Sequence, residues 1–200
     1  MLWTDKAGGS RVAGNPLPPK IAALLRESWW IALVAIALYL LLVLATYHRG
    51  DPGWSQSVTV SSIRNAGGSV GAHVADLMLY LFGLSAYWWV VLCGALVAWG
   101  FRRIEDVPDS DRRSYAVVLM GFLVLLLASS GIEAVRLYSL KASLPLAPGG
   151  VMGAVLGHGI ANAFGFTGGT LILLLMFAAG LSLFTGVSRL LVLDRLGAWT

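Results

Sequence analysis

Charge is what this sequence has least of. Asp, Glu, Lys and Arg together make up 12 % of its 200 residues, about half the share usual in soluble domains. With 58 % apolar residues beside them, an ordinary water-facing surface cannot be assembled. Cysteine is reduced to Cys93, which excludes an intrachain disulfide and a cysteine metal cluster and leaves a small apolar packing residue. The histidines are His48, His73 and His158. None stands in HExxH or comparable spacing, and His73 with His158 would give a zinc ion only two ligands. No GxxxxGK[ST] loop occurs, and no glycine-rich loop falls between a strand and a helix, so nucleotide phosphates find no cradle. No acid or nucleophile is placed by spacing beside a histidine. The sequence offers no catalytic centre and no cofactor or metal site.

What it has instead is long apolar runs. Four of them, 29–47, 84–101, 115–132 and 168–188, are long enough to cross a hydrocarbon core of about 30 Å as helices. A cleaved signal peptide does not account for the first. The 28 residues ahead of it are too many for an n-region, and no Ala-x-Ala-like site follows. The composition therefore predicts an all-α integral membrane protein of four transmembrane helices.

The net charge of +4 could be taken for a nucleic-acid patch, but its placement excludes that. Lys6, Arg11, Lys20 and Arg26 precede the first run; Arg102, Arg103, Arg112 and Arg113 separate the second and third; Arg189 and Arg195 follow the fourth. The alternate loops hold Arg49 and Arg64, then Arg136 and Lys141. By the positive-inside rule, both termini and the middle loop are cytoplasmic. Nothing in this pattern predicts direct DNA binding.

Residues 67–85, GGSVGAHVADLMLYLFGLS, return at 149–167 as GGVMGAVLGHGIANAFGFT, an offset of 82 (149 − 67) without a gap. Gly67, Gly68, Gly71, Phe82 and Gly83 meet Gly149, Gly150, Gly153, Phe164 and Gly165. A repeat at fixed offset organises a fold before any local motif does. Each copy predicts a short glycine-led helix, 67–82 and 149–164, too short to span and too apolar to float free, hence interfacial or re-entrant. With two spans per unit, the two copies should have the same orientation. His73, Asp76 and Tyr80 fall on one helical face, and the offset puts His158 where Asp76 stands. Both short helices are thus expected to carry a polar face in one register, as scaffold. Glu133 and Arg136, at i and i+3, are expected to pair at the rim.

The rest of the chain is connection. Residues 1–28 read as a flexible cytoplasmic leader, 29–188 as the membrane domain, and 189–200 as an amphipathic cytoplasmic exit segment whose abrupt end reads as a truncation. In the first loop, Asp51-Pro52-Gly53 is a turn, and Trp54 is an anchor for the outer interface.

Taken in order, several motifs resemble the N-terminal membrane domain of the FtsK/SpoIIIE DNA translocases of bacterial division. They are Asp51-Pro52-Gly53-Trp54-Ser55-Gln56, Asn65-Ala66-Gly67-Gly68 with Gly71-Ala72 and Ala75-Asp76-Leu77, Tyr80-Leu81-Phe82-Gly83, Gly149-Gly150-Val151-Met152-Gly153, and Gly180-Leu181-Ser182-Leu183-Phe184-Thr185-Gly186. The resemblance implies an inner-membrane anchor that gathers at the division septum and binds other division proteins. It also implies a cytoplasmic ATP-driven DNA motor beyond these residues, which would bind ATP and Mg and form a hexamer. A small transporter or channel subunit is the other reading of a two-span repeat. It is disfavoured because the runs carry no ionisable group near their centres.

Overall fold

Backbone in an apolar surround has no water to bond, so long uncharged runs must satisfy their own N–H and C=O groups by coiling. The computed structural model of the chain, which describes residues 19–56, 62–102, 115–139 and 144–186, shows this. Helix α1 is Pro19–Ala45, α2 Gly68–Phe82, α3 Trp88–Arg102, α4 Tyr115–Arg136 and α5 Gly150–Thr185. A 3-10 segment, Gly83–Tyr87, leads from α2 into α3. No strand occurs among the described residues. Four stretches are long and apolar enough to cross a membrane: Ser28–Ala45, Gly68–Trp99, Ala116–Arg136 and Gly150–Thr185. The protein is an all-α, multi-pass membrane protein, and its surroundings are a lipid bilayer.

The element ends follow local chemistry. Pro19, with φ already helical and no N–H to leave unpaired, opens α1. Gly186, left-handed at φ 78°, closes α5 and donates its N–H to the Ser182 carbonyl. Two boundaries differ from the pattern-based reading, the first being that α1 already begins at Pro19, inside the stretch 1–28 read as a flexible leader. The other is that the second apolar run enters as a 3-10 turn and becomes α-helical only at Trp88. The short helix at 149–164 and the fourth run meet at one non-helical residue, Gly165 (φ 73°, ψ 169°), the break that its match to Gly83 leads one to expect.

Helix α4 is the most buried of the spans. Half of its spanning window is buried, against 17–22 % for the other three: α5 lies along it and the 3-10 segment meets it, while α1 packs instead against α3 and α2. Outer faces are left to lipid, and apolar side chains such as Leu38, Leu119 and Leu175 are accordingly exposed. Lipid supplies no hydrophobic drive between helices, so close backbone packing has to hold them. A Cβ on Gly121 of α4 would lie 2.5 Å from the Phe184 nitrogen of α5, and one on Gly180 of α5 would lie 2.5 Å from the Leu125 nitrogen of α4. Helix α3 joins this pair through rings. Trp89 meets Phe122 edge-on at 5.2 Å, Trp99 meets Phe184 at 5.6 Å, and Phe122 meets Phe184 at 5.7 Å. A second cluster, Val43, Leu44, Ala75, Leu79 and Ala86, packs the end of α1 against α2 and the 3-10 segment.

Candidate functional site

One end of the bundle is closed by two polar knots, each built round a buried carboxylate at a glycine-led turn. The first lies where α1 gives way to α2. Helix C-termini leave carbonyls without intrahelical partners, and Asn65 serves one of them, donating Nδ2–H to the Val43 oxygen at 2.8 Å. Its Oδ1 accepts the Gly67 N–H at 2.8 Å, so a single amide ties the end of α1 to the start of α2. Asp51 positions Asn65 by accepting the Arg64 and Asn65 backbone N–H groups at 3.0 and 2.8 Å. The fit leaves no room for a side chain at Gly71, where a Cβ would come within 2.7 Å of Asn65 Oδ1.

Asp76, one turn further along α2, is 1 % exposed. It accepts the Ser55 N–H at 2.6 Å, the Ser55 hydroxyl at 2.9 Å and the Tyr47 hydroxyl at 3.2 Å. Gly53 lies over it so closely that a Cβ would reach 2.6 Å from the carboxylate carbon. The Asp51-Pro52-Gly53 turn therefore acts as a lid on Asp76, and it leaves Trp54 facing outward, 71 % exposed.

The second knot is centred on Glu133, near the end of α4. Its Oε2 accepts the Leu84 N–H and the Gly149 N–H, each at 2.9 Å, and its Oε1 accepts the Ser85 hydroxyl at 2.5 Å. Leu84 lies in the first turn of the 3-10 segment and Gly149 is the N-cap of α5. One carboxylate thus caps two helical starts, where unpaired N–H groups and the helix dipole both favour negative charge. Ser85 also bonds Ser129 at 2.7 Å, Trp88 Nε1–H reaches Ser129 at 3.1 Å, and the Ser130 hydroxyl bonds the Phe82 carbonyl at 3.2 Å. Gly83 (φ 62°) lies against the Gly149 backbone, Gly150 (φ 60°) against Tyr80 and Leu81, and Gly153 against the Ser130 carbonyl, each too tightly for a Cβ. Glu133 also lines a shallow cleft of about 260 Å³ with Leu84, Ser85, Tyr87, Trp88 and Val91.

Charge is sorted at this end of the bundle. Among the described side chains, the acids Asp51, Asp76 and Glu133 are all buried, while Arg49, Arg64 and Arg136 are all exposed. The acids are occupied by neutral donors, so the outer surface of the cap is left basic.

This geometry corrects three expectations. Asp76 does not share a polar face with His73, which is exposed; it is buried beneath the first loop. The polar register of the two short helices therefore fails, because His158, at the place equivalent to Asp76, is exposed and Asp76 is not. Glu133 and Arg136 do not pair. Arg136 instead donates Nε–H to Thr170 at 3.0 Å and lies 4.3 Å over the Phe166 ring, while Glu133 turns inward. Asp76 turns inward because the Ser55 N–H and the Ser55 and Tyr47 hydroxyls converge on it, and Glu133 because the Leu84 and Gly149 N–H groups at two helix starts do.

Of the residues singled out from the sequence, Asp51, Pro52, Gly67, Gly68, Gly71 and Asp76 gather in the first knot, and Phe82, Gly83, Gly149, Gly150 and Gly153 in the second. Phe164 and Gly165 lie apart, exposed at the break in α5. Positive φ recurs at the 82-residue offset, in Gly68 and Gly150 (66° and 60°) and in Gly83 and Gly165 (62° and 73°). Sequence reasoning missed the roles of Ser55, Ser85 and Glu133. An acid at the end of an otherwise uncharged run was the signal for the last.

Residues 22–197 match the family model described as the 4TM region of DNA translocase FtsK/SpoIIIE. Among curated relatives, the chain is 46 % identical over 187 residues to DNA translocase FtsK 2 of Ralstonia nicotianae, covering 91 % of this chain and 24 % of that protein. It is 36 % identical over 176 residues to DNA translocase FtsK of Shewanella oneidensis (86 % and 19 %). It is 32 % identical over 182 residues to DNA translocase FtsK 1 of Neisseria meningitidis (90 % and 22 %). The chain therefore spans about a quarter or less of the length of these relatives. No solved structure shows significant similarity to it.

Proposed function

Since the chain belongs to the family of the four-span membrane region of FtsK/SpoIIIE DNA translocases, we propose that it is the membrane anchor and septum-targeting domain of a cell-division translocase. In this reading it couples chromosome segregation to cytokinesis by holding a DNA motor at the closing septum. The observation that carries it is the family match over 22–197, together with four helices suited to spanning a membrane. ATP, Mg and hexamer formation belong to the motor, and these residues bind neither DNA nor cofactor.

The placement we propose is the bacterial inner membrane, with both termini in the cytoplasm and the capped end outside, on the basic-residue pattern. The two glycine-led units then have the same orientation, a reading supported by the matched positive-φ glycines. Division partners would meet the protein at the cap, the part exposed beyond the lipid. An anchor is favoured over a carrier because the buried acids are tied into stationary backbone contacts.

A fluorescent fusion of these 200 residues, with no motor attached, should gather at mid-cell; uniform envelope labelling would count against targeting. Topology reporters inserted after residues 60 and 145 should read external, and one after 107 cytoplasmic. A cytoplasmic signal at 60 would overturn the orientation.

A further inference from the structure

We propose that His48 and Arg64 form a phosphate site that holds the headgroup of an anionic phospholipid at the capped end of the bundle. His48 Nδ1 faces the Gly50 N–H at 3.1 Å, and His48 Nε2 faces Arg64 Nη1 at 2.8 Å. Gly50 N–H and the guanidinium can only donate, whereas a neutral imidazole has one lone pair and one N–H. If Nδ1 accepts from Gly50, Nε2 carries the proton and points it at Arg64; the other tautomer moves the clash to Gly50. In either tautomer, one of the two close contacts sets a donor against a donor. An oxyanion that accepts from both His48 Nε2–H and Arg64 removes the clash, and the planar guanidinium suits phosphate.

A second observation points to the same ligand. Arg49 is exposed beside His48, and the carboxylates of this region, Asp51 and Asp76, are 5 % and 1 % exposed and already occupied. No described acid competes for the arginines from the surface. The site also has the depth a headgroup requires: α1 ends at Ala45, three residues before His48, and Trp54 and Ile63 of the same loop are exposed as interfacial residues are. Basic residues at such a boundary attract anionic lipid.

The test is native mass spectrometry of the 200-residue chain released from nanodiscs of phosphatidylglycerol and phosphatidylethanolamine in equal parts. The wild type should retain phosphatidylglycerol in preference. His48→Ala and Arg64→Ala should each lower that retention roughly fivefold, the scale of one basic contact. Arg136→Gln, which removes an exposed cation outside the site, should not. No preference in the wild type would overturn the proposal, and that measurement does not depend on any variant folding. Equal loss in Arg136→Gln would mean diffuse charge, and unchanged retention in both site variants would place the lipid elsewhere; either overturns it. Displacement of the lipid by millimolar inorganic phosphate would assign the site to free phosphate. Binding of an acidic peptide in place of lipid would make the surface a protein-docking face. Both outcomes also defeat it.

Discussion

Glu133 is where a single substitution can distinguish the buried cap from a surface ion pair. Replacing it with alanine removes the only acceptor that the Leu84 and Gly149 N–H groups have among the described residues, both 2.9 Å from one carboxylate oxygen. A buried donor left unpaired costs about 1–3 kcal/mol, so Glu133→Ala should cost ~2–6 kcal/mol before any loss at Ser85. Glu133→Gln keeps an oxygen for the two N–H groups but loses the charge and turns an amide toward Ser85, so about 1–2 kcal/mol is expected. Arg136→Gln should cost less than ~1 kcal/mol, because its partners are Thr170 and the Phe166 ring. Unfolding by SDS titration in dodecylmaltoside micelles, followed by circular dichroism, reads all three together with the Glu133→Gln/Arg136→Gln double variant. Additive losses are the expected result. If Arg136→Gln costs as much as Glu133→Gln and the double variant no more than either, the two residues act as a pair and the capping argument is wrong.

The glycine pair at the ends of the short helices makes a second comparison. Gly83→Ala adds a Cβ both at φ 62° and into the Gly149 backbone, whereas Gly165→Ala at φ 73° meets nothing within 4 Å. The strained backbone alone costs about 1–3 kcal/mol, so Gly165→Ala should fall in that range and Gly83→Ala above it; the reverse order would refute the close contact. Asp76→Ala unties Ser55 and Tyr47 and should speed proteolytic cutting within residues 48–56, which unchanged cleavage would contradict. His158→Ala, on an exposed face, should shift stability by less than about 0.5 kcal/mol. A larger loss would mean that the face is covered.

The sequence by itself determined the class of protein and most of its punctuation. Uncharged runs of about 20 residues have no stable form in lipid except a helix. The glycines at 68, 83, 149–150 and 165 already announced where helices start and break, since only glycine occupies positive φ without cost. Helical periodicity grouped Asp76 with the exposed His73, and it could not say that the first loop covers the carboxylate. Tertiary structure decided that. The lid over Asp76 comes from Ser55, 21 positions earlier, and the donors to Glu133 come from Leu84 and Ser85, 49 and 48 positions away. Spacing along one helix encodes only neighbours three or four residues apart, which is why Glu133 pointed to Arg136. The choice of partner was instead made where two helix starts with unpaired N–H groups converge on one carboxylate. The glycine-led turns allow that approach because they carry no side chain to hold the backbones apart.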